Sequence, residues 1–302
     1  MDTPGDMANN DSEDSAQAEI ERLRAEVGRL RGDVPDTAYQ RTILARHDLR
    51  PYTLDYVGKL FQNFTELHGD RRFADDAAIV AGMALYHDLP VMVVGHQKGR
   101  DLKQRQHRNF GCAQPEGYRK AIRAMKMADK FRRPIICFID TPGAYPGVGA
   151  EERGQAEAIA FNLREMSRLQ VPVVVCVIGE GGSGGALGIA VGNCILMQEN
   201  AIYSVITPEG CSAILWKDQE HVVAAAAALK ITATDLKAMG VIDEIVPEPP
   251  GGAHTDHNSA AELLDNHLWP NLEALLHKSG AELRDQRYRK FRQIGAVSSL
   301  MF

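Results

Sequence analysis

The residues whose type and spacing could do chemistry lie in Gly179-Glu-Gly-Gly-Ser-Gly-Gly185, directly after the apolar run Val171–Ile178. Gly179, Gly181 and Gly184 fit G-x-G-x-x-G, the fingerprint that seats a dinucleotide pyrophosphate on a helix N-terminus. Glu199, at the end of Cys194–Gln198, stands where a ribose-binding acid would. Several strand-like segments come first, however, whereas that fingerprint usually opens its domain. Gly181, Ser183 and Gly185 also fit G-x-S-x-G, the nucleophile elbow of serine hydrolases. That chemistry needs a downstream histidine at a strand end, and His221, His254, His257, His267 and His277 fall in polar or helical stretches. A third reading needs only main chain. Glycine lets the backbone approach a ligand closely, and successive N–H groups at a helix start converge on one point. Such a pair is an oxyanion hole, suited to an anion formed during reaction. Close helix–strand packing without catalysis is the non-chemical alternative. A P-loop is excluded, because no Lys-Ser/Thr follows the last glycine.

Forty residues earlier, Asp140-Thr-Pro-Gly-Ala-Tyr145 and the glycines that follow repeat the arrangement of strand, glycine loop and helix. Two such loops side by side make a shallow site built from main chain. Glu151, Glu152 and Arg153 read as charges at the start of the next helix, where acids favour its dipole. Lys98, Arg100, Lys103, Arg105 and Arg108, continued by Arg119, Lys120, Arg123 and Lys126, read as a local cationic surface for phosphates or an acidic partner.

The elements that must position these loops follow from pattern. Residues 78–94 read as two strands turning at His87-Asp88-Leu89-Pro90, 115–131 as a helix starting at Pro115, and 134–140 and 171–178 as strands. Strands beginning just after Pro90, Pro134 and Pro172 suggest a unit repeating at about 40 residues. Their unbroken apolar character indicates parallel sheet buried on both faces, an α/β fold. Cys194–Gln198 and 203–206 read as two further strands. The expected organisation is a disordered acidic tail at 1–16 and a helical segment at 17–48, seamed by Ile20, Leu23, Val27 and Leu30. The main domain spans 49–250. A linker and C-terminal helices fill 251–302, with breaks expected at Pro270 and Gly280.

A net charge of −6 argues against bulk nucleic-acid binding. The five cysteines are scattered, with no C-x-x-C pair, and read as reduced thiols with no metal site. No apolar run is long enough to span a membrane, and the acidic start does not resemble a leader; both point to a cytoplasmic protein.

Beyond single motifs, RPYTLDYV (50–57), GHQKGR (95–100), RNFG (108–111), PEGYRKA (115–121), FIDTPGAYPGVGAEERGQ (138–155) and VIGEGGSGGAL (177–187) together resemble one family. NLREMSRL (162–169), TPEGCSAILWK (207–217) and GVIDEIVPEPPGGAH (240–254) extend the match, which covers about residues 40–292. The family is the alpha subunit of bacterial multi-subunit acetyl-CoA carboxylase carboxyltransferase. The resemblance implies a crotonase-like spiral of β-β-α units with N- and C-terminal helical extensions. It implies carboxyl transfer from carboxybiotin, delivered on the biotin carboxyl carrier protein, to acetyl-CoA, giving malonyl-CoA. It further implies a beta subunit in an α2β2 assembly, zinc on that subunit only, no cofactor bound by this chain, and biotin carboxylase in the full complex. Carried onto this sequence, the catalytic main-chain donors are Gly184 and Gly185. Gly143, Ala144, Tyr145, Gly181 and Gly182 would line the biotin side, and Lys98, Arg100 and Arg119 would meet phosphate or the partner. A non-catalytic scaffold binding nucleic acid through the basic patch, and a CoA-thioester hydratase or hydrolase of the same fold, are the competing classes.

Overall fold

The computed structural model describes residues 37–295. The expected acidic tail and the helix seamed by Ile20 to Leu30 lie outside the described residues. Helix α1 (Ala38–Ala45) begins at a capping box, in which the Thr37 side chain and Gln40 satisfy each other's free backbone N–H groups. Helix α2 (Thr53–Leu60) leads into strand β1 (Gln62–Glu66), which pairs antiparallel with β2 (Ile79–Tyr86). Strand β2 turns into β3 (Leu89–His96) through His87 and Asp88, both at positive φ, as a two-residue hairpin matching strand twist requires.

From β3 onward the sheet is parallel. Helices α3 (Leu102–His107) and α4 (Pro115–Lys130) carry the chain to β4 (Ile135–Thr141). Helices α5 (Val148–Glu152) and α6 (Gln155–Met166) carry it to β5 (Val173–Gly182). Helix α7 (Ser183–Leu187) leads to β6 (Cys194–Gln198) and the short β7 (Ile202–Ser204). Helices α8 (Pro208–Leu215), α9 (Val222–Ala228) and α10 (Ala233–Ala238) precede β8 (Glu244–Val246). The sheet order is β1-β2-β3-β4-β5-β6-β8. Strand β5 forks: Val174–Val177 pairs with β6, and Glu180–Gly182 pairs with β7.

Alternate residues of the same strands enter two cores, which is why the sequence shows unbroken apolar runs. Ile135, Cys137, Ile139, Val173, Val175 and Val177 pack under α4 and α6 with Tyr118, Ile122, Met125 and Met166. Ile136, Phe138, Val174, Cys176 and Ile178 face α2 and the long C-terminal helix α11 (His257–Leu276).

Three expectations are corrected here. Helix α11 runs straight through Pro270. A proline inside a helix removes one hydrogen bond and crowds the preceding turn, but Leu264, Leu268, Leu272 and Leu275 are buried on one face and hold both halves in place. The last residues of the expected linker already belong to α11, which starts where the Asp256 carboxylate accepts the Asn258 and Ser259 N–H groups. The strand expected at 203–206 ends at Ser204. Gly280 does open a separate helix, α12 (Gly280–Gln293), tied down by the fully buried Arg287. Its guanidinium donates to the carbonyls of Met166 and Leu169, each at 2.5 Å. Leu268→Ala should cost about 2–5 kcal/mol, the range for deleting a fully buried leucine, and would be read as a lower urea midpoint at unchanged slope.

A candidate oxyanion site between two glycine loops

Because β4 and β5 are parallel neighbours, the loops that follow them emerge at the same edge of the sheet. They meet main chain on main chain. A Cβ on Gly182 would come 2.1 Å from the Pro142 carbonyl oxygen, and one on Gly185 would come 2.4 Å from the Ala144 nitrogen. Gly184 differs, since its nearest neighbours would be Ile159 methyl groups at 3.7 and 3.9 Å. As first-turn residues of α7, Ser183, Gly184 and Gly185 have N–H groups with no acceptor within the helix. Helix α7 is only five residues long, so these local donors rather than a macrodipole give the site its positive character.

Buried side chains hold both loops from behind. Thr141 Oγ1 accepts the Gly143 N–H at 3.1 Å and donates to the Gly143 carbonyl at 2.8 Å. Gln155 donates to the carbonyls of Ala113 and Tyr145, at 2.8 and 3.0 Å. Asn162 donates to the carbonyls of Tyr118 and Gly188, both at 3.0 Å, and the Tyr118 hydroxyl donates to Gly185 O at 3.3 Å. The structure therefore brings Gly143, Ala144, Tyr145, Gly181, Gly182, Gly184 and Gly185 together, on a scaffold whose buried amide groups donate to the loop carbonyls while Gln155 Oε1 and Asn162 Oδ1 are left without a partner.

The competing motif readings lose their chemistry in this geometry. In a dinucleotide site the glycines leave room for the ligand. Here a Cβ on Gly179 would meet the Asp140 carboxylate at 2.4 Å and one on Gly181 the Tyr203 ring at 2.6 Å, so of the three fingerprint glycines Gly184 alone has space beside it. Glu199 accepts the Glu248 N–H with its carboxylate. For a hydrolase, Ser183 sits exposed at φ 50°, as an elbow serine does. His96, whose ring lies against the main chain of Gly185 and Phe138, is fully buried, and burial pushes its pKa down to about 3. It is a neutral packing group, not a base for Ser183.

The basic patch is also corrected. Lys98 is largely buried, its ammonium 2.7 Å from Asp140 Oδ1 and 2.9 Å from Glu180 Oε2. Arg100 donates to the carbonyls of Asp48 and Arg50, pairs with Asp55 and lies 4.0 Å over the Tyr52 ring. Arg119 bonds Asp70 at 2.7 Å and Glu116 at 3.3 Å. Lys120 is buried against Asp75. Much of the cationic run is thus neutralised internally. Sequence reading missed Asp140 and Glu180 as partners of Lys98, although both lie within the two glycine-loop stretches.

The family model described as acetyl co-enzyme A carboxylase carboxyltransferase-like matches residues 4–295. Acetyl-coenzyme A carboxylase carboxyl transferase subunit alpha of Geobacillus kaustophilus is 59% identical over 285 residues, covering 94% of this chain and 88% of that protein. The chain belongs to the acetyl-CoA carboxylase carboxyltransferase alpha-subunit family. Another member, from Syntrophotalea carbinolica, is 57% identical over 92% of this chain and 89% of its own length. Among solved structures, transcarboxylase 12S matches with a TM-score of 0.63 at 18% identity, over 83% of this chain and 44% of that one. A Pseudomonas malonate decarboxylase hetero-tetramer matches with a TM-score of 0.59 at 16% identity, over 72% and 86%. At such identities the likeness establishes the crotonase-like fold. In this carboxyltransferase alpha-subunit family member, no helix among the described residues is long and apolar enough to cross a membrane. Nor do the described residues hold a group of three or more His, Cys, Asp or Glu able to bind a metal.

Proposed function

We propose that the chain is the alpha half of a two-subunit carboxyltransferase, moving a carboxyl group from carboxybiotin on a carrier protein to acetyl-CoA to form malonyl-CoA for fatty acid synthesis. The observation that carries this reading is the 59% identity to a carboxyl transferase alpha subunit over 94% of the chain. The geometry supplies the chemistry. The N–H groups of Gly184 and Gly185 receive the ureido oxygen of biotin as its N–carboxyl bond breaks and the electron pair withdraws into the ureido group. The carboxyl leaves as carbon dioxide, and the biotin anion takes a proton from the acetyl methyl. The resulting enolate forms the new C–C bond to carbon dioxide. No protein base is required, in keeping with a site walled by main chain and a histidine locked neutral behind it.

The acetyl thioester oxygen is assigned to a beta subunit, with two copies of each chain in the assembly and zinc on the beta chain alone. Exposed Tyr145 and Val148 beside the site, and exposed Ile214, Leu215 and Trp216 at the end of α8, support a surface that expects a partner. Residues 49–250 form the catalytic unit, followed by helices α11 and α12. A carrier protein, biotin carboxylase and a bacterial cytoplasm complete the setting.

The test is malonyl-CoA-dependent carboxylation of biocytin by the co-expressed alpha and beta chains, comparing wild type with Ser183→Ala. Beta-dependent turnover that survives Ser183→Ala within about threefold, well short of the loss expected for a catalytic group, supports the main-chain mechanism. A folded, assembled but inactive Ser183→Ala would give the hydroxyl a chemical role and overturn it. A wild type without beta-dependent turnover would overturn the carboxyltransferase reading.

A further inference from the structure

We propose that Lys98 is a positioning residue that sets the separation of the two glycine loops by bridging the carboxylates at which they begin. The inference rests on the oxyanion reading above. Three adjacent parallel strands each bring one charged side chain to the same edge: Lys98 just past β3, Asp140 near the end of β4, and Glu180 near the end of β5. The ammonium lies 2.7 Å from Asp140 and 2.9 Å from Glu180. Asp140 Oδ1 also accepts the Glu180 N–H at 3.0 Å, so a single oxygen ties side chain and main chain across the two strands. From the other side, Arg46 Nε donates to the second Glu180 oxygen at 2.6 Å, and its guanidinium continues to Glu209 at 2.7 Å. Thr141–Ala144 follow Asp140 directly, and Gly181–Gly185 follow Glu180 directly.

Room for this bridge is built into the sequence. A Cβ on Gly179 would stand 2.4 Å from Asp140 Oδ1, and one on Gly111 would stand 2.8 Å from Lys98 Cγ. Buried ion pairs are poor sources of net stability, because desolvation offsets most of their attraction. Their recurrent use is to fix a geometry, and the geometry fixed here is that of the two loops. Titration leaves the bridge intact. Burial alone would lower the Lys98 pKa and raise that of Glu180, but the opposing charges reverse both shifts. Lys98 and Glu180 therefore both stay charged across the working pH range, and loss of their contact would not register as a shifted pH profile.

The experiment uses the co-expressed alpha and beta chains in the biocytin assay, with Lys98→Met, Lys98→Arg and Glu180→Gln. Lys98→Met is expected to assemble normally, keep both KM values within about threefold, and lower kcat by about 10²-fold, the scale of an ångström-level misplacement. Lys98→Arg should recover activity to within about tenfold of wild type, since a cation still spans the two carboxylates. Should Lys98→Met fail to fold, Glu180→Gln, which keeps size and hydrogen bonding, should lower kcat about tenfold at unchanged KM. Folded variants with wild-type kcat would overturn the proposal. So would a raised KM for malonyl-CoA at unchanged kcat, which would place Lys98 on the substrate. Wild type inactive with its beta chain would bring down the oxyanion reading and this inference with it; inactivity of the Lys98 variants alone leaves that reading standing.

Discussion

Gly185→Ala is expected to lower kcat by on the order of 10²–10³-fold, the cost of displacing one oxyanion-hole donor. The added methyl would meet backbone atoms of Gly143 and Ala144 at 2.4 Å. Neither is the flexible end of a side chain, so the two loops must separate. Gly184→Ala is the matched control. Its methyl would meet only Ile159 at ordinary contact distance, and alanine keeps the N–H that the mechanism uses. Exchanging glycine for alanine in a helix can add up to about 1 kcal/mol. Gly184→Ala should therefore keep activity within about tenfold and melt no lower than wild type. Equal loss in both variants, with both folded and assembled, would mean that the loop senses any side chain and not the contact between loops.

Arg50→Met should cost about 3–5 kcal/mol, the scale of a buried pair broken on one side, out of a total of roughly 5–15. Arg50 and Glu248 are each about 1% exposed. The guanidinium also donates to the Ile178 carbonyl at 2.6 Å and to Gln198 at 3.1 Å, while Glu248 accepts from Asn200 and the Ala253 N–H. Burial alone would raise the Glu248 pKa; the Arg50 charge and the hydrogen bonds from Arg50 and Asn200 more than reverse it, and the net shift is downward. The folded state therefore holds this proton less tightly than the unfolded chain. The stabilisation is complete above the unfolded carboxyl value of about 4.3 and drains away as pH falls through the folded one. Glu180 behaves alike for the same reason. Wild-type urea midpoints should accordingly be flat from near-neutral pH to about 5 and fall below that. In Arg50→Met the sign for Glu248 inverts: buried without its cation, it gains on protonation, so the gap to wild type should narrow in acid. A constant gap across that range would remove the pair from the acid response.

Much of this site was legible because its signals are local. The glycines of Gly179–Gly185 and Asp140–Gly147 suggest a main-chain site among other readings, and β3, β4, β5 and α4 fall near where their apolar patterns and prolines place them. Glu151 and Glu152, by contrast, end the short α5 instead of opening a helix, because Gly154 at φ 83° breaks the chain before α6. What escaped depends on partners distant in sequence. Lys98, Arg100 and Arg119 looked like an open cationic surface because their carboxylates, Asp140, Glu180, Asp55 and Asp70, arrive through crossovers or earlier helices and loops. Pro270 misled for a related reason: its effect was judged locally, while the leucines that override it act through the core. The two motif coincidences at Gly179–Gly185 are weighed by what lies around them in space, the side chains against Gly179 and Gly181 and the buried, neutral His96.

The Arg50–Glu248 contact, joining residues 198 positions apart, has a consequence for biosynthesis. Arg50 reaches the Ile178 carbonyl, two residues before Glu180, only with its charge answered by a carboxylate near the end of the translated domain. On the ribosome, strands β1 to β7 and both glycine loops will have emerged well before residue 248. Until then the guanidinium has no carboxylate to answer it, and the segment bearing α1 and α2 rests on the apolar contacts of Tyr56 and Val57 and on the Arg46–Glu180 pair. That edge of the sheet is thus completed late in synthesis, so a partner that reads its finished shape would find it only once the segment around residue 248 has emerged.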